Sequence, residues 1–290
     1  MLSEWPIAWG ISVRLFSAPE VGMSSAGDSR RELAKFLRSR RERITPDEVG
    51  LPAGPRRRTV GLRREEVAVL AGLSPTWYTY LEQGRGIQPS REVLDSLARV
   101  LRLTEDERRY VHSLAHGSVV QTAPLTTDVT ATDLIRQVVA QFDDSPYPVY
   151  AGDQYCELVA WNQAACEWYD DWSALAPGHR NFLHWLLSSP LARERLVDWE
   201  AVTQDTVARW RAECARHPDD PHIRARIAEF TRLSPAFGDW WESHEVLEHR
   251  SAVRLFRHGH LGVQAMRIVV LQSPEFTPSG VVLHLPAAAE

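Results

Sequence analysis

The sequence predicts two unlike domains in one chain of 290 residues: an all-α domain of five helices, followed by an α+β domain. Three observations predict it. Apolar residues recur at helical spacing from about Ser29 to Ala115, with capping residues between the runs. A small, polar stretch, GSVVQTAPLTTDVTAT, breaks that pattern over residues 117–132. Beyond it come a strand pair, a long helical region and three more strands. The expected divisions are an N-terminal extension over 1–28, a helical domain over 29–116, a linker over 117–132 and the α+β domain over 133–290.

Residues 1–22 carry Trp5, Trp9 and Phe16 but no basic region ahead of them, which argues against a signal peptide. Met23 is read as the native start, with SSAGDS as a disordered lead-in; an extra packed strand or helix is the second reading. The first helix is expected from Ser29 to Ile44, with Leu33, Phe36 and Leu37 inward. Thr45-Pro46-Asp47-Glu48 has capping-box spacing and suggests a helical turn. The loop that follows, GLPAGPRRRTVG, is long for a small bundle and is suspected of a function.

Residues 63–84, RREEVAVLAGLSPTWYTYLEQG, read as a helix-turn-helix. Val67, Leu70 and Ala71 form one apolar face of a short helix, and Gly72 suits a left-handed cap. Ser74-Pro75 opens the second helix, because serine accepts an orphan N–H and proline suits the first helical position. Tyr78 and Leu81 then point inward and Thr76, Trp77 and Tyr80 outward, where this motif reaches base edges in the major groove. A plain two-helix hairpin has the same apolar spacing. Ser90 starts a helix with Val93, Leu94, Leu97, Ala98 and Leu101 inward, and Thr104 to Glu107 is a second capping box opening the fifth helix.

Charge supports the nucleic-acid reading. Between Arg30 and Arg64 stand twelve Lys or Arg against four Asp or Glu, eleven of the twelve being arginine. They include Arg56-Arg57-Arg58 and Arg63-Arg64, the latter pair at a helix N-terminus that already attracts phosphate. A solvated basic helix face is the plain alternative. The net charge of −5 argues the other way, but residues 30–119 sum to +6 and residues 120–290 to −9. One half suits DNA and the other stays off it. Arg85 completes the candidate DNA-binding set of Arg56, Arg57, Arg58, Arg63, Arg64, Thr76, Trp77 and Tyr80.

In the second domain a helix is expected around Leu134–Phe142, a hairpin from Val149–Ala151 through a Gly-Asp turn to Tyr155–Trp161, helices from Asn162 to about Glu248, and strands at Ser251–Arg257, Gly262–Gln272 and Gly280–Leu285. Cys156, Cys166 and Cys214 have no metal spacing and read as reduced thiols of a cytoplasmic protein. His244 and Glu245 invite a zinc-protease reading, but the position four after His244 is Glu248, so no metal is expected. No cofactor, phosphate loop or nucleophile elbow is indicated, and no run is long enough to span a membrane.

With these segments laid out, the chain resembles the MmyB-like branch of the XRE (lambda-repressor-like) helix-turn-helix regulators. The resemblance is carried by FLRSRRERITPDEVGLPAGPRRRTVGLRREEVAVLAGLSPTWYTYLEQGRGIQPSREVLDSLARVLRLTEDE in the first domain. In the second it is carried by LVAWNQAA, APGHRNFLHWL, ARERLVDWE, HPDDP and SPAFGDWWESHEV, in order, over about residues 30–286. It implies a lambda-repressor-like domain followed by a PAS-like domain enclosing an apolar cavity for a small lipophilic ligand such as a fatty acid. The last stretch, QSPEFTPSGVVLHLPAA, departs from the family pattern and looks shortened. Glu82 matches a structural position.

Eight of the eleven tryptophans lie between Trp161 and Trp241, where they either line a cavity or simply fill the core. The candidate ligand contacts are Trp161, Asn162, Arg180, Asn181, Trp185, Trp199, Trp241 and His244. Asn162 also suits a turn anchor, and Arg180 suits either a carboxylate head group or a structural cap. A homodimer on a double-stranded operator is expected, since one recognition helix reads few base pairs. The chain is thus expected not to be an enzyme but a ligand-modulated regulator of transcription. The alternative is a DNA-targeted enzyme acting on a small apolar substrate in the second domain.

Overall fold

The computed structural model describes residues 25–52, 61–116, 129–217, 220–247, 251–272 and 280–287. The loop arginines Arg56, Arg57 and Arg58, the extension up to residue 24 and most of the expected linker lie outside them.

The first domain packs α1 (Ser25–Arg43), α2 (Arg64–Ala71), α3 (Pro75–Glu82), α4 (Arg91–Val100) and α5 (Glu105–His116) around one core. Leu33, Phe36 and Leu37 of α1 meet Val67, Tyr78, Leu81, Leu97 and Val111 there. The stops are those the residues dictate. Gly72 takes φ +70°, Ser74 Oγ accepts the Trp77 N–H at 3.1 Å, and Thr104 and Glu107 cap each other's backbone at 2.7 and 3.2 Å. Thr45 and Glu48 open a single 3-10 turn over Asp47–Val49. One inward residue of α2 is not the expected one. Ala68 is buried, whereas Leu70 is 38 % exposed, because two helical turns present too narrow a face to bury both.

Gly61 has φ +74°, and a Cβ there would lie 2.5 Å from the carbonyl oxygens of Arg41 and Glu42. Only glycine lets the chain return that close to the end of α1.

The second domain opens with α6 (Val129–Ala140), so the helix begins inside the expected linker. A five-stranded antiparallel sheet follows in the order β2-β1-β5-β4-β3, formed by β1 (Val149–Gly152), β2 (Leu158–Trp161), β3 (Ala252–His258), β4 (Gly262–Gln272) and β5 (Gly280–Pro286). Despite the altered end of the sequence, β5 is complete and pairs on both sides. β2 starts later than expected. Asp153 Oδ1 accepts the N–H groups of Tyr155 and Glu157 at 2.9 and 2.8 Å, which holds residues 153–157 in a turn.

Among the described residues six α-helices stand between β2 and β3: α7 (Gln163–Trp168), α8 (Phe182–Ser188), α9 (Pro190–Arg195), α10 (Trp199–Cys214), α11 (Pro221–Leu233) and α12 (Pro235–Glu242). They contribute with the inner sheet face to one core. On the other face α6 buries Ile135 and Val139 against Val149, Ala151 and Val281. This is the expected layout of an all-α domain followed by an α+β domain. The three cysteines are free, and among the described residues no helix is long and apolar enough to cross a membrane.

Candidate functional site

The second helix of the motif, α3, is held from beneath by one carboxylate. Glu82, whose side chain is fully buried, takes Arg41 Nε on one oxygen at 2.5 Å. Arg41 Nη2 and Arg64 Nε reach the other at 3.2 and 2.7 Å. Burial alone would raise this carboxyl, but the two guanidinium groups hold it below the ordinary carboxylate value. The clamp ties α1, α2 and α3 together. It also engages Arg64, which sequence reasoning places on phosphate.

The outward side of α3 carries Thr76, which is exposed, and Tyr80, 38 % exposed. Trp77 is half-buried against the domain core. The Arg85 guanidinium lies 4.2 Å from the centre of the Tyr80 ring, which gives the reading face an aromatic plane with a cation on it. Arg63 is exposed at the start of α2, its backbone N–H bonded to Glu66 at 2.7 Å. Thr76, Tyr80, Arg85 and Arg63 are therefore available to a duplex.

The second domain holds a partly open cavity of about 160 Å³. Its walls include Tyr150 from β1, Phe256 and Arg254 from β3, Ile268 and Val270 from β4 and Val282 from β5. Helix α10 supplies Val202, Thr206, Arg209, Trp210 and Glu213. None of the eight ligand contacts expected from the sequence lines this space.

Those eight side chains are engaged elsewhere. Asn162 and Asn181, both fully buried, cap α7 and α8: their Oδ1 atoms accept the Ala165 and His184 N–H groups at 3.0 and 2.9 Å. Arg180 donates to the carbonyls of Leu175 and Ser173, both at 3.0 Å, and so fixes a loop. Trp161 bonds Ser173, Trp185 bonds Asp170 and Trp199 bonds the Leu186 carbonyl, at 3.2, 2.8 and 2.8 Å. Trp241 and His244 stand where the two domains meet. An indole buries a large apolar body and needs an acceptor for its N–H, so these rings fasten the core.

The polar groups of the cavity are unevenly satisfied. Arg209 Nη2 is 3.5 Å from Asp205, but the same carboxylate oxygen is paired with Arg254. Arg209 Nε is buried with no partner, and so is Gln154 Oε1 in the same wall. Glu213 is matched by Arg216 and His217. Burial pushes the Asp153 carboxyl up to about 6, so it keeps most of its charge at pH 7 and takes up a proton only in mild acid. One guanidinium is left underpaired in an apolar chamber, the arrangement that receives an anionic or hydrogen-bonding head group.

A sequence signal for these residues exists. Val202, Thr206, Arg209 and Glu213 recur at helical spacing on α10, and Arg254 alternates inward between Ala252 and Phe256 on β3. Both patterns put charge on a face that should be apolar.

At the cavity wall Tyr169 OH meets His284 Nε2 at 2.6 Å, and His284 Nδ1 lies 2.9 Å from the Pro148 carbonyl. Burial lowers this imidazole to about 4, so it is neutral at pH 7.

Comparison with known families accords with both halves of this description. The MmyB-like transcription regulator ligand binding domain matches residues 131–289, and a helix-turn-helix domain matches residues 32–111. No curated protein sequence matches the chain. An exposed reading helix on an arginine-clamped bundle, followed by an α+β domain around a cavity, is thus set in a known frame: the chain belongs to the MmyB-like transcription regulators, with a DNA-binding helix-turn-helix before a ligand-binding domain.

Proposed function

We propose that the chain binds its operator sequence-specifically and that a small lipophilic, fatty-acid-like ligand in the second domain modulates this binding. The observation that carries the ligand reading is Arg209, underpaired and with a buried, unpartnered Nε in a chamber whose apolar walls include Tyr150, Leu158, Phe256, Ile268 and Val282. An apolar chain suits those walls and a carboxylate suits the guanidinium. On the DNA side, Thr76 and Tyr80 read bases, Arg63, Arg85 and the loop arginines Arg56, Arg57 and Arg58 hold phosphates, and Trp77 supports the reading helix. A homodimer presents two reading helices to half-sites about 34 Å apart or a multiple of that.

The test has two arms. Native mass spectrometry and tryptophan fluorescence with dodecanoate report occupancy of the cavity. A duplex selected from a random pool then reports operator affinity with and without dodecanoate. Replacing Arg56, Arg57 and Arg58 with alanine is expected to weaken binding to all sequences and flatten its salt dependence. Thr76→Ala or Tyr80→Ala is expected to relax preference at particular base pairs by about 1–3 kcal/mol. Dodecanoate that never binds would remove the ligand reading, and an unchanged salt slope would take the loop off DNA.

A further inference from the structure

Helix α10 has two working sides. Thr206, Arg209 and Glu213 face the cavity, and Trp210 is part of the same wall. The next residue, Arg211, is only 1 % exposed and reaches the other way, into the helical domain. Its Nη1 pairs with the Glu32 carboxylate of α1 and lies 3.4 Å from Tyr110 OH of α5 and 3.2 Å from His244 Nδ1. Its Nη2 donates to the Trp241 carbonyl, and the guanidinium sits 4.0 Å from the centre of the Trp241 ring. Glu32 in turn accepts from Tyr110 OH at 3.0 Å and lies 3.2 Å from His244 Nδ1. His244 holds φ +55°, a left-handed conformation that a residue with a Cβ keeps only when its surroundings fix it.

The neighbouring contacts are of the same kind. Arg40 Nη2 donates to the His244 carbonyl at 2.5 Å, and Arg43 donates to the Ser243 carbonyl at 3.1 Å and pairs with Glu245. Apolar residues of the second domain enter the first domain's core at Ala215 and Val246. A junction fastened mainly by charges and carbonyls has discrete alternatives in a way that a wide apolar interface has not.

We propose that Glu32, Tyr110, Arg211 and His244 form a latch between the domains, and that α10 makes this latch answer to what the cavity holds. The ligand half rests on the reading given above; the latch does not. Filling the cavity shifts Thr206, Arg209 and Trp210, and Arg211 moves with them because it shares their helix. On the far side, α1 carries Arg40 to the junction and the next residue, Arg41, to Glu82 at the end of the reading helix. Thr76 and Tyr80 stay uncovered, so the latch orients the reading helix without blocking it.

Hydrogen–deuterium exchange of the full-length protein tests both parts. In Glu32→Gln, amides of residues 36–45 and 239–247 are expected to exchange at least tenfold faster than in wild type, with β4 and β5 unchanged. In wild type, saturation with dodecanoate is expected to shift exchange of the same segments at least threefold. Thr206→Trp, which fills the cavity from α10 itself, should do so without ligand; Val202→Phe replaces it if circular dichroism shows that it does not fold. Junction exchange unaltered by Glu32→Gln overturns the latch. A junction that loosens in Glu32→Gln yet ignores the filled cavity overturns the link through α10. Absence of dodecanoate binding counts against the ligand reading alone, because the cavity-filling variants need none.

Discussion

Arg41 in the helical domain is buried and Arg209 in the cavity domain half-buried, and their surroundings differ further. Arg41 has both oxygens of the buried Glu82, the Leu62 carbonyl and a second arginine sharing the load. Arg209 has a share of Asp205, which Arg254 also claims, and an Nε with nothing opposite it. A guanidinium whose donors are all taken joins helices. One whose donors are left over in an apolar chamber is poised for something that arrives later. For these two arginines the contrast teaches that pairing together with the surrounding space, and not residue type, sets the scaffold residue apart from the candidate receptor residue.

The comparison breaks most visibly at Glu82. Glu82→Ala leaves two arginines facing a void at the centre of the bundle, and a loss of about 3–5 kcal/mol is expected in denaturant unfolding of the helical domain. A loss below about 1 kcal/mol would mean that the clamp is not structural.

Acid is the next largest lever, and it acts on the other domain. The His284 imidazole is lowered to about 4 in the folded chain against an ordinary 6.5. Stability is therefore fully present above pH 6.5 and is lost as pH falls toward 4, by about 3 kcal/mol in all. His284→Gln removes that slope. Urea unfolding from pH 7 to 4, followed by tryptophan fluorescence, measures it, and identical slopes in the two proteins would refute the assignment.

Arg209→Met sharpens the contrast. The substitution is expected to weaken dodecanoate binding by about 1.5–3 kcal/mol, the worth of a hydrogen bond to a charged group, while dodecanol is less affected. Folding stability should be unchanged or higher, because a half-buried, underpaired charge with a buried Nε is removed. Equal losses for acid and alcohol would show that Arg209 shapes the cavity without reading the head group.

The helical domain was legible because its signals are local. Ser74 before Pro75, Gly72 after Ala71 and the Thr104–Glu107 pair each announce a helix end within four residues. Leu70 escaped because a two-turn helix has room for only Val67, Ala68 and Ala71 inside, and residue size misled where geometry decided. The strands of the second domain were legible from their β-branched residues and the turn signals between them; the cavity was not, since Tyr150, Arg209 and Val282 meet only through tertiary packing. Tryptophan was a poor guide to it. Such rings fill volume wherever the core is thick, and Trp161, Trp185 and Trp199 each spend their N–H on a protein acceptor. Asn162 and Asn181 were conspicuous in the sequence for a reason of their own, the capping of α7 and α8.

The position of Arg211 bears on how such a regulator can be rebuilt. A chimera joined within residues 117–128 exchanges the helical domain and its reading helix together, but it also discards Glu32, Arg40 and Tyr110. A transplanted bundle that lacks an acid at the place of Glu32 would recognise its own promoter and remain deaf to the graft. A designer wanting a new sensor from these parts has to import three side chains along with the cut.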